Sequence, residues 1–205
     1  MASQLPTLLY LHGFNSSPAS KKARQLVHAC EQLGVAGQLR VPALHHHPRE
    51  AIAQCEQAIA ELGAPLLIGS SLGGYYATHL AERHGLKALL INPAVLPHTR
   101  FDGYLGPQQN LYSGETWQLT LEHIHALAAL EVPAPQDPRR FQVWLQTADE
   151  TLDYRQAQAW YRACALRIQP GGDHSYQGFA AQLPALLAFA GFDPGLWRDH
   201  DFSDL

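Results

Sequence analysis

The residues Ile68-Gly69-Ser70-Ser71-Leu72-Gly73-Gly74-Tyr75-Tyr76 put a hydroxyl where it could serve as a nucleophile. An apolar run, Pro65-Leu66-Leu67-Ile68, precedes them, and a helical pattern, Tyr76-Ala77-Thr78-His79-Leu80-Ala81, follows. The expected structure is a strand, a sharp turn and a helix, with Gly-x-Ser-x-Gly at the turn and Ser71 at its centre. At such a corner, side chains two residues either side of the serine would run into neighbouring backbone; Gly69 and Gly73 have none. The turn also sets Ser71 at a helix N-terminus, where unpaired N–H groups and the dipole favour negative charge developing on an oxygen. The same pentapeptide also fits a glycine-rich corner without chemistry, or a phosphate cradle. The rest of the chain must supply a base, an acid and a second oxyanion donor.

An alcohol is a weak nucleophile until a base within hydrogen-bond reach takes its proton, and the base needs an acceptor that fixes its tautomer. His174, in Gly171-Gly172-Asp173-His174, fits the base. Asp149, Glu150 and Asp153 compete for the acid. Asp153 and Thr151 fit a helix cap better, and Asp173 adjoins His174 too closely to bond its ring well. The Leu72 backbone N–H, one residue past the serine, is the first candidate oxyanion donor. His12 reads as structural, its ring bonding loop carbonyls.

These residues need elements to carry them. Thr7 to Leu11, Gln38 to Val41, Pro65 to Ile68, Leu86 to Ile91, Phe141 to Leu145 and Ala165 to Gln169 read as six short strands. Helices alternate with them: one capped by Ser20 and ended by Gly34, one opened by Pro48 and stopped by Gly63, the one after Ser71, and Tyr154 to Cys164. Pro184 to Ala190 reads as a final helix before a polar tail. Such alternation predicts an α/β fold with a mostly parallel sheet of about six strands flanked by helices. The pattern breaks over 94–140, which reads as a small insertion over the sheet edge, with Trp117 to Leu130 as one amphipathic helix. In a parallel sheet, ligands bind beyond the carboxyl ends of the strands. Ser71, the His12-Gly13-Phe14 loop, the acids at 149–153 and His174 are all expected at that edge, in the chain order serine, acid, histidine.

Composition limits the partners. With 205 residues and 46% hydrophobic content, the chain suits one domain spanning 1–205. A net charge of -4 offers no basic face for nucleic acid or an anionic membrane. No apolar run approaches the roughly 18 residues of a membrane span, and Leu8-Leu9-Tyr10-Leu11 is too short for a signal peptide core. Three cysteines argue against a disulfide framework, so the expected compartment is the cytoplasm. Cys30, Cys55 and Cys164 sit on apolar helix faces as small hydrophobes. His45-His46-His47 invites a metal reading, but consecutive residues on a loop point different ways and no acid or cysteine accompanies them at ligand spacing. No metal and no organic cofactor is expected, and oligomeric state has no signal in the sequence.

The chain resembles the α/β-hydrolase superfamily over nearly its whole length. Within it, Leu11-His12-Gly13-Phe14-Asn15-Ser16-Ser17-Pro18, Gly69 to Tyr76, Asn92-Pro93-Ala94-Val95, Gln146 to Tyr154 and Gly171 to His174 are similar to the small bacterial YqiA-type esterase family. The resemblance implies a shortened fold lacking the superfamily's first two strands and carrying a small cap. It also implies hydrolysis of carboxylic esters or acyl-thioesters, with small-molecule substrates. By the superfamily's pattern it favours Asp149 as the acid and the Phe14 backbone N–H as the second oxyanion donor, beside Ser71, His174 and Leu72. An acyltransferase or C–C hydrolase on the same fold, and a catalytically silent binding module, are the rival readings.

Overall fold

The computed structural model describes residues 5–205. In chain order the elements are β1 (Leu8–Leu11), α1 (Lys21–Gln32), β2 (Leu39–Arg40), α2 (Pro48–Leu62), β3 (Leu66–Ser70), α3 (Leu72–His84) and β4 (Ala88–Ile91). After them come the strands β5 (Gly106–Gln109) and β6 (Thr116–Leu119), then α4 (Leu121–Ala128). β7 (Phe141–Gln146), α5 (Tyr154–Trp160), β8 (Ala165–Gln169), α6 (Leu183–Ala190) and α7 (Pro194–Trp197) complete the chain.

Six strands form one sheet in the order β2-β1-β3-β4-β7-β8, and every pair in it is parallel. A parallel sheet is covered on both faces, which is why β1, β3 and β4 read as unbroken apolar runs. Alternation sorts their side chains between two cores. Leu8, Tyr10, Ile68, Leu89, Ile91 and Trp144 pack with α1 and α6. Leu9, Leu11, Leu67, Leu90, Val143 and Leu145 pack with α2 and α3. The chain leaves β1 to pair β2 on one side, then returns to set β3 on the other, with α1 and α2 on opposite faces. The strand order therefore reverses at β1 and β3. Crevices at such reversals, beyond the carboxyl ends of the strands, are where sheets of this kind bind ligands.

The segment between β4 and β7 departs from expectation. Trp117 to Leu130 is not one helix: Thr116–Leu119 is a strand, paired antiparallel with β5 in a separate two-stranded sheet. The helix starts only after Thr120, whose side chain and that of His123 cap each other's backbone. Trp117 and Leu119 are buried as alternate residues of a strand, whereas Leu121 is exposed. The alternation Thr-Trp-Gln-Leu was the overlooked period-2 signal. Smaller differences lie at element ends: β3 runs to Ser70, α5 stops at Trp160, and the tail contains the short α7.

Candidate active site

Ser71 occupies the corner between β3 and α3 with φ 56 and ψ −121, a conformation that costs a non-glycine residue about 1–3 kcal/mol. Backbone hydrogen bonds hold it there. Its N–H donates to the Ile91 carbonyl at 3.1 Å, and its carbonyl accepts from the N–H groups of Gly74 and Ala94 at 2.9 and 3.0 Å. The glycines are required by contact. A Cβ on Gly69 would lie 2.6 Å from the Gly74 Cα, and one on Gly73 would meet the Leu11–His12 main chain, 2.7 Å from the His12 carbonyl oxygen. Gly74 is also constrained, since a Cβ there would come within 2.7 Å of the Pro93 Cβ. The doubled glycine at 73–74 was the only sequence sign of that second contact.

The loop after β8 brings His174 to the serine. The Ser71 hydroxyl lies 3.0 Å from His174 Nε2, within range to donate to it. The opposite ring nitrogen, Nδ1, donates to Asp149 at 2.8 Å to Oδ2 and 3.0 Å to Oδ1. These bonds assign the Nδ1–H tautomer to the neutral ring. The Asp149 side chain is only 2% exposed, and a buried carboxylate needs further donors. It has them: the N–H groups of Thr151 and Leu152 donate to Oδ1 at 2.9 and 2.8 Å.

The rival acids are engaged elsewhere. Asp153 caps α5 by accepting from the Arg155 N–H at 3.0 Å and pairs with the Arg155 guanidinium at 2.9 Å. Glu150 accepts the His174 backbone N–H at 2.9 Å, so it holds the loop and not the ring. Asp173 accepts from the Gln177 amide.

Two polar residues that sequence reasoning passed over secure the histidine loop. Asn92, buried at the end of β4, donates from Nδ2 to the carbonyls of Asp173 (3.0 Å) and His174 (3.3 Å), while its Oδ1 accepts from the Gln146 N–H at 3.0 Å. The Gln146 side chain, buried at the end of β7, accepts from the N–H groups of Asp173 and Gln177 and donates to the Gln177 carbonyl. A Cβ on Gly172, at φ 73, would overlap the Gln146 side chain. The sequence signal was a polar residue closing each of two apolar strands.

The loop after β1 forms the other wall. The His12 ring donates from Nδ1 to the Gly13 carbonyl at 3.0 Å and accepts at Nε2 from the Leu44 N–H at 3.0 Å. Burial pushes its pKa down, which favours the neutral ring these two bonds require. Across a trans peptide the carbonyl and the next N–H point opposite ways, so fixing the Gly13 oxygen fixes the direction of the Phe14 N–H. A Cβ built on Gly13 would lie 3.7 Å from the Ser71 hydroxyl oxygen, which puts this peptide beside the serine. Among the described residues neither the Phe14 nor the Leu72 N–H donates a hydrogen bond, and Leu72 is the first residue of α3. The Phe14 side chain packs on Phe101 and Trp117.

A cleft of about 410 Å³ opens at Ser71 and His174, with Phe14, Leu72, Val95, Phe101 and Leu152 among its apolar lining. The histidine tract lies outside it. His47 caps α2 by accepting from the Arg49 N–H, and His46 stacks between His45 and Trp117. Among the described residues no three His, Cys, Asp or Glu side chains are grouped to hold a metal ion, and no helix is long and apolar enough to cross a membrane.

The sheet order and its flanking helices define an α/β-hydrolase fold. Similar solved structures include a putative hydrolase from Agrobacterium vitis S4, with a TM-score of 0.71 at 18% identity over 91% of this chain and 88% of that one. Est1E from Butyrivibrio proteoclasticus, bound to ferulic acid, gives a TM-score of 0.70 at 14% identity, again over 91% of this chain and 88% of that one. Mouse alpha/beta hydrolase domain-containing protein 10 gives 0.66 at 14% identity, over 92% and 90% of the two chains. The chain itself belongs to the uncharacterised protein family UPF0227, whose model matches residues 7–191. Relatives in that family include a Shewanella woodyi protein, 27% identical over 89% of this chain and 98% of its own length. A Shewanella baltica protein is 32% identical over the same shares.

Proposed function

We propose that this protein is a serine hydrolase that cleaves carboxylic esters or acyl-thioesters through an acyl-enzyme on Ser71. The observation that carries the reading is the continuous relay from the Ser71 hydroxyl through His174 Nε2 at 3.0 Å and Nδ1 to the buried Asp149 at 2.8 Å. His174 Nε2 takes the serine proton as Oγ attacks the carbonyl carbon, and Asp149 stabilises the imidazolium that forms. The resulting oxyanion is held by the N–H groups of Phe14 and Leu72. As the tetrahedral intermediate collapses, the bond to the alcohol or thiol breaks and His174 returns the proton to that leaving group. Water then gives a proton to His174 and attacks the acyl carbon, releasing the acid and restoring Ser71.

The apolar lining of the cleft supports an organic acyl group as substrate, and likeness to YqiA-type esterases points the same way. Two measurements test the proposal together. A fluorophosphonate should label Ser71, and short-chain p-nitrophenyl esters and acyl-thioesters should be hydrolysed by the wild type and not by Ser71→Ala. Absence of labelling at Ser71 in folded protein would overturn it.

A further inference from the structure

The same cleft has a side built from residues the mechanism does not use. Tyr10, Ser20, Lys21, Lys22 and Ser70 line it next to Ser71 and Ser175. Ser20 to Lys22 are the N-cap and first residues of α1, a helix of 12 residues. Helix first turns favour acidic side chains, which offset the positive end of the dipole. α1 has no acid in its first turn and opens on two lysines. The Ser20 side chain, positioned to cap the helix, makes no capping bond, and its buried Oγ has no partner. Tyr10 is 1% exposed, and its hydroxyl borders the cleft beside the Ser70 and Ser20 hydroxyls. Burying an unpaired hydroxyl beside a doubly basic helix start costs stability. An anion in that corner would remove the cost.

The lysines are free to meet one. Among the described residues neither forms an ion pair with a carboxylate. Lys22 Nζ donates to the Ser175 carbonyl at 2.8 Å, which leaves two of its three protons for other acceptors. Burial pushes its ammonium down to about 8, against the pull of Asp173 and Asp149, the carboxylates that face it. Among the described residues the cleft lining holds Lys21, Lys22 and Arg100 and no Asp or Glu.

We propose that this side of the cleft is an anion subsite, and that substrates of the Ser71 site carry a carboxylate or phosphate held by Lys21, Lys22, Ser20 and Tyr10. The inference rests on Ser71 being the acyl acceptor. It narrows the substrate class to half-esters of dicarboxylic acids, or esters and thioesters whose leaving group bears a phosphate. Lysine ammonium and hydroxyl donors bond either anion, and bonds of this charge-assisted kind are the strong ones.

The test uses three esters of one acyl type and matched size: neutral, carboxylate-bearing and phosphate-bearing. The readout is the ratio of kcat/KM for the charged over the neutral ester, taken within each variant so that general losses cancel. Wild type should prefer at least one charged ester by about tenfold or more, the scale of one hydrogen bond to a charged group. The preferred arm identifies which anion is bound. Lys21→Gln/Lys22→Gln should bring the ratio close to one, and Tyr10→Phe, which keeps the ring, should lower it by about threefold or more. Wild-type preference should also fade as pH rises through about 8, as Lys22 loses its proton. Hydrolysis of the neutral ester with a ratio near one in wild type overturns the subsite and leaves the esterase reading intact. Should no ester be hydrolysed and no fluorophosphonate label Ser71, the esterase reading fails, and calorimetry on wild type decides the subsite alone. Binding of succinate or inorganic phosphate that Lys21→Gln/Lys22→Gln loses then supports it, and no binding overturns it.

Discussion

Asn92 reaches from the end of β4 to the main chain of the histidine loop, its Nδ2 donating to the Asp173 carbonyl at 3.0 Å. It is 2% exposed and adopts φ 40, a left-handed conformation that asparagine tolerates better than most residues. Position and bonding together make it an anchor for His174. Asn92→Ala should lose both donated bonds, orphan the Gln146 N–H and destabilise the fold by about 1–3 kcal/mol. Activity should fall at temperatures where the variant is still fully folded, with kcat reduced more than KM is raised. A variant with wild-type kcat below its melting transition would remove Asn92 from this role.

Ser71→Ala should abolish ester hydrolysis and fluorophosphonate labelling while the circular dichroism spectrum stays native. Loss of the nucleophile in an efficient serine hydrolase costs on the order of 10⁶ in turnover. Because the corner is held by backbone bonds and not by the hydroxyl, its melting temperature should change little. Retained turnover in purified Ser71→Ala would assign the chemistry elsewhere.

The two aspartates after β7 should separate cleanly. Asp149→Asn keeps the side chain's size but gives His174 Nδ1 a poorer partner, and on the scale of the trypsin triad it costs up to about 10⁴ in kcat. Asp153→Asn touches a helix cap and an exposed pair with Arg155. Its expected cost is below about 1 kcal/mol of stability, with activity within a few-fold of wild type. A reversed order of damage in two equally folded variants would transfer the acid role.

Acid should destabilise the fold through its buried and half-buried histidines. His12, His46, His79 and His123 all have pKa values lowered chiefly by burial. Above about 6.5, the unfolded histidine value, these rings are neutral in both states and their contribution to stability is complete. As pH falls below that value the unfolded chain takes up protons first, so stability is lost toward acid. Melting temperatures should decline as pH falls below about 6.5. His12→Asn should decline less steeply, and a slope equal to wild type would show that His12 contributes nothing to it.

The parallel sheet and the serine corner were legible in the sequence because each is set by local chemistry. Strands buried on both faces read as apolar runs, and Gly69 and Gly73 mark a turn where any Cβ would strike backbone. Hydrophobic period and turn residues are properties of neighbouring positions, so one chain displays them. Ser71, Asp149 and His174 could be named as candidates for the same reason, since each lies in the chain that follows a strand of one sheet. Which acid faces the ring was a different matter. Asp149, Glu150 and Asp153 are close in sequence and chemically alike. The choice follows from how the 149–152 turn folds back on itself, with two N–H groups aiming one carboxylate at His174. Thr116–Leu119 likewise reads as helix or strand until β5 lies beside it, because ladder bonds come from a partner strand, Gly106–Gln109, and not from the segment itself. Asn92, Gln146 and the open first turn of α1 mean little as letters. Their meaning is fixed by distant chain, with Asn92 81 positions from Asp173 and Lys22 153 from Ser175, and only the packed structure brings such pairs within a hydrogen bond.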